Sequence, residues 1–300
     1  MPEGDTIFRA ARTLHTALAG QVVTRFETQY AQIARVHHDA PITGRTVERV
    51  TARGKHLLMA FSGVGGRQSA ADDQSRRLRV DGPMVLRTHM LMSGSWHIYR
   101  TGEPWQRSPV SARIVVGTAG FVAVAFAVPV AEFVEAAAME DAPALARLGP
   151  DVLAADFDVD RAVARLAVST RPTVAEALLD QTAVAGIGNV YKSELLFLAT
   201  LWPFTPPADV PVASWLRLLR NARTLLQANV VDPRETGVVT YRGMRRTTGR
   251  SNPAERLYVY GRQGEPCRTC GTPIQFRHHG EHNRSTYWCP TCQPAPSAAP

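Results

Sequence analysis

Two groups of residues in this chain are equipped for chemistry. At the start, Met1-Pro2-Glu3 places a secondary amine beside a carboxylate once Met1 is trimmed, which the small Pro2 permits. A secondary amine condenses with an aldehyde to give an iminium ion directly. An α-amino group titrates near about 8 against about 10.4 for lysine, so more of it is nucleophilic near neutral pH. Glu3 is then the neighbouring acid/base group. Toward the other end, Cys267 and Cys270 form one C-x-x-C pair, Cys289 and Cys292 a second, and 18 residues (271–288) separate them. This spacing suits two tight knuckles closing a tetrahedral thiolate cage on one Zn²⁺. Four thiolates leave no open coordination position, so the ion is expected to be structural.

Between the cysteine pairs, residues 276–288 read as a β-hairpin carrying Arg277 and Arg284, either gripping phosphates or forming a solvated basic loop. His278, His279 and His282 are expected to be solvated or phosphate-facing and not metal ligands. A second donor-rich corner, Gly186-Ile187-Gly188-Asn189, opens a helix. Its glycines permit close backbone approach, and the helix N-terminus offers free N–H groups. Asn189 is placed to cap that helix or to give an amide to a phosphate; an ordinary helix-turn-helix corner is the competing reading.

The elements that must hold these groups follow from periodicity. Ile7, Ala11, Leu14 and Leu18 predict an amphipathic helix over 5–19, with Asp5 at its start and Gly20 at its stop. From Val22 to about Phe133 short β-like runs (47–50, 56–61, 84–86, 95–99, 113–116 and 121–126) predict an antiparallel β-sandwich, with 63–77 as a loop inside it. Beyond Ala136 the pattern turns helical, over 144–148, 161–167, 174–181, 190–199 and 214–229. The predicted organisation is a β-sandwich domain at 1–135, a helical domain at 136–255, a zinc finger at 256–293 and a tail at 294–300. The fold class is thus α+β and multidomain. Lys and Arg exceed Asp and Glu by 34 to 26, a net charge of +8 that suits an anionic partner such as nucleic acid. No apolar run approaches a membrane span, and the polar start does not read as a signal peptide, so a cytoplasmic location is expected.

Taken in order, Pro2-Glu3-Gly4, Arg53-Gly54-Lys55, Gly186-Ile187-Gly188-Asn189-Val190-Tyr191 and Tyr260-Gly261-Arg262 before the four cysteines resemble the formamidopyrimidine-DNA glycosylase and endonuclease VIII family of base-excision repair enzymes. The resemblance spans nearly the whole chain. It implies a β-sandwich, a helix-two-turn-helix domain and a zinc finger, acting on damaged double-stranded DNA with a flipped base. It implies Pro2 as the nucleophile, Glu3 as its acid/base partner, and Lys55 and Arg284 as groups assisting strand cleavage. Asn189, Tyr191, Lys192, Arg277 and His89 are then DNA contacts. Met92, in the Met90-Leu91-Met92 run, is a wedge into the gap left by the flipped base or else buried strand. Arg242 lies where a lesion-covering loop is expected. Two departures favour the endonuclease VIII-like branch and oxidised pyrimidines: Asp5-Thr6 replaces a second Pro-Glu step, and only Phe126-Ala127-Val128-Pro129-Val130 stands where an Asp-Pro-Arg-Arg-Phe-Gly type segment would fill the void opposite 8-oxoguanine. A monomer associated with the bacterial nucleoid is expected. An 8-oxoguanine-specific enzyme and a non-catalytic damage-binding protein stay open as alternatives.

Overall fold

The computed structural model describes residues 2–63, 82–230, 245–250 and 252–296, and its chain divides into two compact units. The first holds residue 2 and residues 6–147; the second holds residues 3–5, 148–230 and the chain from 245 onward. The three residues after Pro2 therefore belong with the second unit, although the helix they open continues into the first.

In the first unit, α1 (Gly4–Leu18) buries Ile7, Ala11, Leu14 and Leu18, the stripe its spacing requires. Two four-stranded antiparallel sheets follow. One has the order β1 (Arg25–Thr28), β6 (Ala112–Gly117), β7 (Phe121–Phe126), β5 (Ser95–Arg100); the other β2 (Val47–Arg53), β3 (His56–Phe61), β4 (Met84–His89), β8 (Val130–Glu135). Their shared core is written with period two: Leu57, Met59 and Phe61 from β3, Leu86 from β4, Trp96 and Ile98 from β5, Ile114 and Val116 from β6, Ala123 and Ala125 from β7. Alternate residues on the other face of β5, β6 and β7 (Tyr99, Val115, Val122, Val124 and Phe126) make a second small core covered by Trp105.

The expectation of β-like runs alone between 22 and 133 needs correcting. A nine-residue helix, α2 (Ala31–Asp39), packs against β1 and β8. It buries Ile33 fully and Val36 and His37 in part, a stripe confined to two turns and therefore short beside the β-like runs around it. A short α3 (Pro143–Ala146) ends the unit.

In the second unit, α4 (Val159–Ala167) packs on α7 (Val212–Val230). Between them in sequence lie α5 (Val174–Ala177) and α6 (Asn189–Leu198). α5 stops well before Gln181, the end its apolar run suggests. Asp180 turns the chain there, accepting the Thr182 N–H at 2.9 Å and its hydroxyl at 2.6 Å. The Gln181 side chain then ties the corner, donating to the Leu179 and Ile187 carbonyls and accepting the Gly186 N–H. Residues Asn189 to Phe197 of α6 are all buried, which makes it the central helix of the unit.

The finger hairpin, β9 (Gln275–His279) and β10 (Arg284–Trp288), pairs antiparallel with His279 opposite Arg284. Phe197 of α6 joins Val259, Ile274, Cys267 and Cys289 in its core. The buried Glu194 carboxylate fixes the approach to it: Oε2 accepts the Tyr258 N–H at 2.8 Å and the Thr247 hydroxyl, while Oε1 accepts the Val259 N–H at 2.9 Å and the Tyr260 N–H at 2.8 Å. One buried carboxylate thus anchors residues 258–260, the chain that enters the Tyr260-Gly261-Arg262 motif. No described helix is long and apolar enough to cross a membrane.

Candidate active site and metal centre

Glu3 is fully buried, with both carboxylate oxygens facing the start of α6. Oε1 accepts the Val190 N–H at 2.8 Å and Oε2 the Tyr191 N–H at 3.3 Å. A helix leaves these first amides without internal partners, and its dipole favours a negative charge there. The capping place that Asn189 could have taken therefore belongs to Glu3, with Gly188 as the N-cap residue. A Cβ on Gly188 would stand 2.3 Å from Glu3 Cδ, so a side chain and this carboxylate cannot share the space. Pro2, half-buried, directly precedes this anchored residue.

Asp5 is more than a helix cap. It is 3% exposed, and Arg245 grips it with Nη2 at 2.6 Å from Oδ1 and Nε at 2.9 Å from Oδ2. The Tyr191 hydroxyl donates to Oδ2 at 3.2 Å, and the Arg245 guanidinium lies over the Tyr191 ring, 4.8 Å from its centre. Arg245 Nη1 also stands 3.8 Å from Glu3 Oε1. Burial and the Asp5 charge hold the Tyr191 phenol well above its usual pKa. Burial acts against the Arg245 charge, but Glu3 and Asp5 outweigh it and raise the guanidinium's pKa. Arg245 lies three residues after Arg242 in the stretch Arg242-Gly243-Met244-Arg245-Arg246. Its partner lies 240 positions away, and no local pattern links them.

Tyr191 and Lys192, expected at the DNA, are both fully buried, because the first turns of α6 lie in the interior. Lys192 Nζ donates to Asn189 Oδ1, the Ser285 carbonyl and Thr286 Oγ1, each at 2.8 Å. Asn189, 4% exposed, stays at the N-terminus of α6. On the hairpin, Arg284 is half-buried, and Arg277 lies exposed with its guanidinium 3.5 Å from the centre of the Phe204 ring. His279 is not spare: Nδ1 meets Thr286 Oγ1 at 2.9 Å and Nε2 meets Thr173 Oγ1 at 3.2 Å.

The four cysteine Sγ atoms lie within 4.8 Å of one another, with Cys267 and Cys292 at 3.9 Å and Cys270 and Cys289 at 3.4 Å. Sulfurs about 2.3 Å from a tetrahedral Zn²⁺ stand about 3.8 Å apart, so the donor set and its size fit that ion.

In the first unit, Lys55 is the second residue of a two-residue turn joining β2 to β3, with Gly54 at φ +58°. His56 and His89 pair across β3 and β4, their rings 4.8 Å apart. Arg87 Nη1 donates to His56 Nδ1 at 2.9 Å, and its Nε to Glu132 at 2.6 Å. Burial first, then the His89 and Arg87 charges, lowers His56 to about 3; burial and then Lys55 lower His89 to about 4. Both rings are neutral at pH 7. His89 Nδ1 accepts the Leu91 N–H at 3.1 Å, so its proton sits on Nε2, a donor without a positive charge.

The Met90-Leu91-Met92 run divides. Met90 is core, whereas Leu91 is 48% and Met92 64% exposed, and Leu91 holds a left-handed φ of +46°. Phe126 and Val128, in the segment nearest the missing void-filling motif, are buried. Arg242 and most of the 63–77 loop lie outside the described residues.

Residues 1–127 match the formamidopyrimidine-DNA glycosylase N-terminal domain, 148–240 the H2TH domain of the same enzymes, and 264–295 the zinc finger found in FPG and IleRS. A Streptomyces coelicolor protein named probable endonuclease 8 2 is 40% identical over 100% of this chain and 96% of its own length. The chain belongs to the formamidopyrimidine-DNA glycosylase and endonuclease 8 family. A second relative in that family, from Mycolicibacterium smegmatis, is 36% identical over 98% of this chain and all of its own, and is named DNA-(apurinic or apyrimidinic site) lyase Nei2. The fold is also that of Lactococcus lactis Fpg solved with DNA containing an N7-benzyl-Fapy-dG, at a TM-score of 0.74 and 24% identity, covering 98% of this chain and all of that one.

Proposed function

We propose that this family member is a bifunctional DNA glycosylase and AP lyase that removes oxidised bases, pyrimidines foremost, from duplex DNA. The observation that carries the reading is the buried Glu3 carboxylate anchored on the α6 amides directly after Pro2. Fixing an N-terminal amine in place through its neighbour makes it a positioned nucleophile.

In this reading the Pro2 nitrogen bonds to C1′ of the damaged nucleotide as the base departs with its bonding pair and a proton. Ring opening leaves an iminium between Pro2 and the sugar, with Glu3 moving the protons. The iminium acidifies the 2′ proton. Its loss expels the 3′ phosphate, a further elimination expels the 5′ phosphate, and water then frees Pro2. Lys55 at its hairpin tip and Arg284 on β10 serve the eliminations through phosphate contact or proton donation. Asn189, Arg277, Arg242 and the neutral His89 are assigned to the DNA, and Leu91 with Met92 to the gap left by the flipped base. The four cysteines hold Zn²⁺, which supplies a folded finger and no reaction step.

The pyrimidine preference rests on the 126–130 segment, whose Phe126 and Val128 point into the core and offer no long side chain to fill a void opposite a purine lesion. Cleavage of duplexes carrying thymine glycol, dihydrouracil or 8-oxoguanine opposite cytosine tests it; faster action on 8-oxoguanine overturns the preference. Borohydride trapping on abasic duplex, read as intact mass, tests the chemistry. A covalent adduct is expected at Pro2, and its absence from the wild type overturns the enzymatic reading.

A further inference from the structure

Lys192 is a fully buried lysine whose three N–H bonds all have acceptors, and those acceptors come from both halves of the second unit. Two consequences follow for residues assigned to the DNA. An ammonium can only donate, so the Asn189 atom facing it must be the amide oxygen, and the NH₂ group must face the other way. The same ammonium holds the Ser285 carbonyl and the Thr286 hydroxyl, the two residues after Arg284, and so fixes the strand that carries Arg284.

The bonding continues with one polarity. Thr286 Oγ1 accepts from Lys192, so its own hydrogen goes to His279 Nδ1 at 2.9 Å. A neutral His279 then carries its proton on Nε2 and donates to Thr173 Oγ1 at 3.2 Å, which donates to the Glu176 carboxylate at 2.8 Å. Burial, with the Lys192 charge adding to it, keeps the His279 pKa low and the ring neutral. The chain runs from α6 through β10 and β9 to the cap of α5, joining the helical corner to the finger hairpin.

We propose that Lys192 is a positioning residue that sets the Asn189 amide and the Arg284 strand together, so that one buried cation aligns two phosphate contacts. The proposal rests on the DNA glycosylase reading above. Three acceptors need three N–H bonds, which only the ammonium supplies. Burial lowers Lys192 to about 7, with Glu3 and Glu176 raising it and Arg284 lowering it. His279, held below the usual imidazole range, and the Glu176 carboxylate are the other titratable groups along these bonds. Above neutrality the amine therefore leaves one acceptor unserved, and the phosphate grip should slacken.

The test is binding of the zinc-loaded full chain to a duplex containing a tetrahydrofuran abasic analogue, titrated with salt between about pH 6 and about pH 9. Each phosphate contact contributes about 0.9 to the slope of log affinity against log salt. The wild type is expected to lose affinity on the alkaline side, and Lys192→Met to lower that slope by about 1–2, weaken affinity about tenfold at moderate salt, and abolish the alkaline loss. A folded, zinc-bound Lys192→Met with the wild-type slope and pH profile overturns the proposal. Should that variant lose its metal or its fold, Thr286→Val decides by the same two readouts, and an unchanged slope and profile overturns it. A wild type that neither binds the duplex nor traps on abasic DNA sinks the glycosylase reading itself, whereas binding by the wild type with no change in the variants sinks this proposal alone.

Discussion

Arg245 holds the Asp5 carboxylate through two nitrogens, at 2.6 and 2.9 Å, and the two side chains are only 10% and 4% exposed. Removing one member of such a pair strands the other charge in the interior, at a cost of about 3–5 kcal/mol. Arg245→Met is therefore expected to destabilise the second unit by about 3 kcal/mol in denaturant unfolding. Removing both charges with Asp5→Asn in addition should recover most of that loss. Equal and additive losses from the two single changes would count against a coupled pair.

Gly188→Ala addresses the proposed reaction centre more sharply. Its Cβ would enter the space of Glu3 Cδ, at 2.3 Å, so Glu3 must leave the α6 amides or the helix start must move. Trapping on abasic duplex is expected to slow at least about a hundredfold, the scale that misplacement of about 1 Å brings. Near-normal trapping with an intact fold would show that the Glu3 anchor is dispensable.

How much of this was legible in the sequence depends on how far apart the partners lie. The α1 stripe and the short apolar runs of β3 and β4 are local patterns, and the structure follows them. The strands β1 and β8 escaped detection because one is four residues long and the other, Val130–Glu135, fully buries only Ala131. The pairing of Asp5 with Arg245 and of Lys192 with Thr286 joins distant positions, so no window of sequence contains it. The burial of Lys192 is illegible for a chemical reason: lysine is almost never fully buried unless its charge is met, and only the folded chain brings the three acceptors together.

Acid should weaken the first unit through His56 and His89. Both titrate lower when folded, at about 3 and about 4, than the usual 6.5. Between those values the unfolded chain binds more protons, so stability is lost as pH falls below about 6.5. The His56 contribution lost by pH 4 is at most about 3 kcal/mol. Chemical denaturation at pH 7 and pH 4.5 measures the loss. His56→Gln is expected to flatten the acid side of the profile, and an unchanged acid limb would remove His56 as its source.

Stripping the metal should act locally. Cys289→Ser is expected to bind less than one equivalent of zinc and to weaken duplex binding about tenfold or more, because Arg277 and Arg284 lose their scaffold. The unfolding transition of the β-sheet unit should stay where it is in the wild type. Unchanged affinity after confirmed metal loss would detach the finger from DNA binding.

The location of residues 3–5 within the second unit has a consequence for dissecting the protein. A fragment beginning at residue 148 would lack the carboxylates that serve the Val190 and Tyr191 amides and the Arg245 guanidinium. The helical half is thus expected to be unstable when excised by truncation. Its missing piece is the segment from Glu3 to Asp5, so the residues directly after Pro2 also act as a splint for the unit that lies far downstream in sequence.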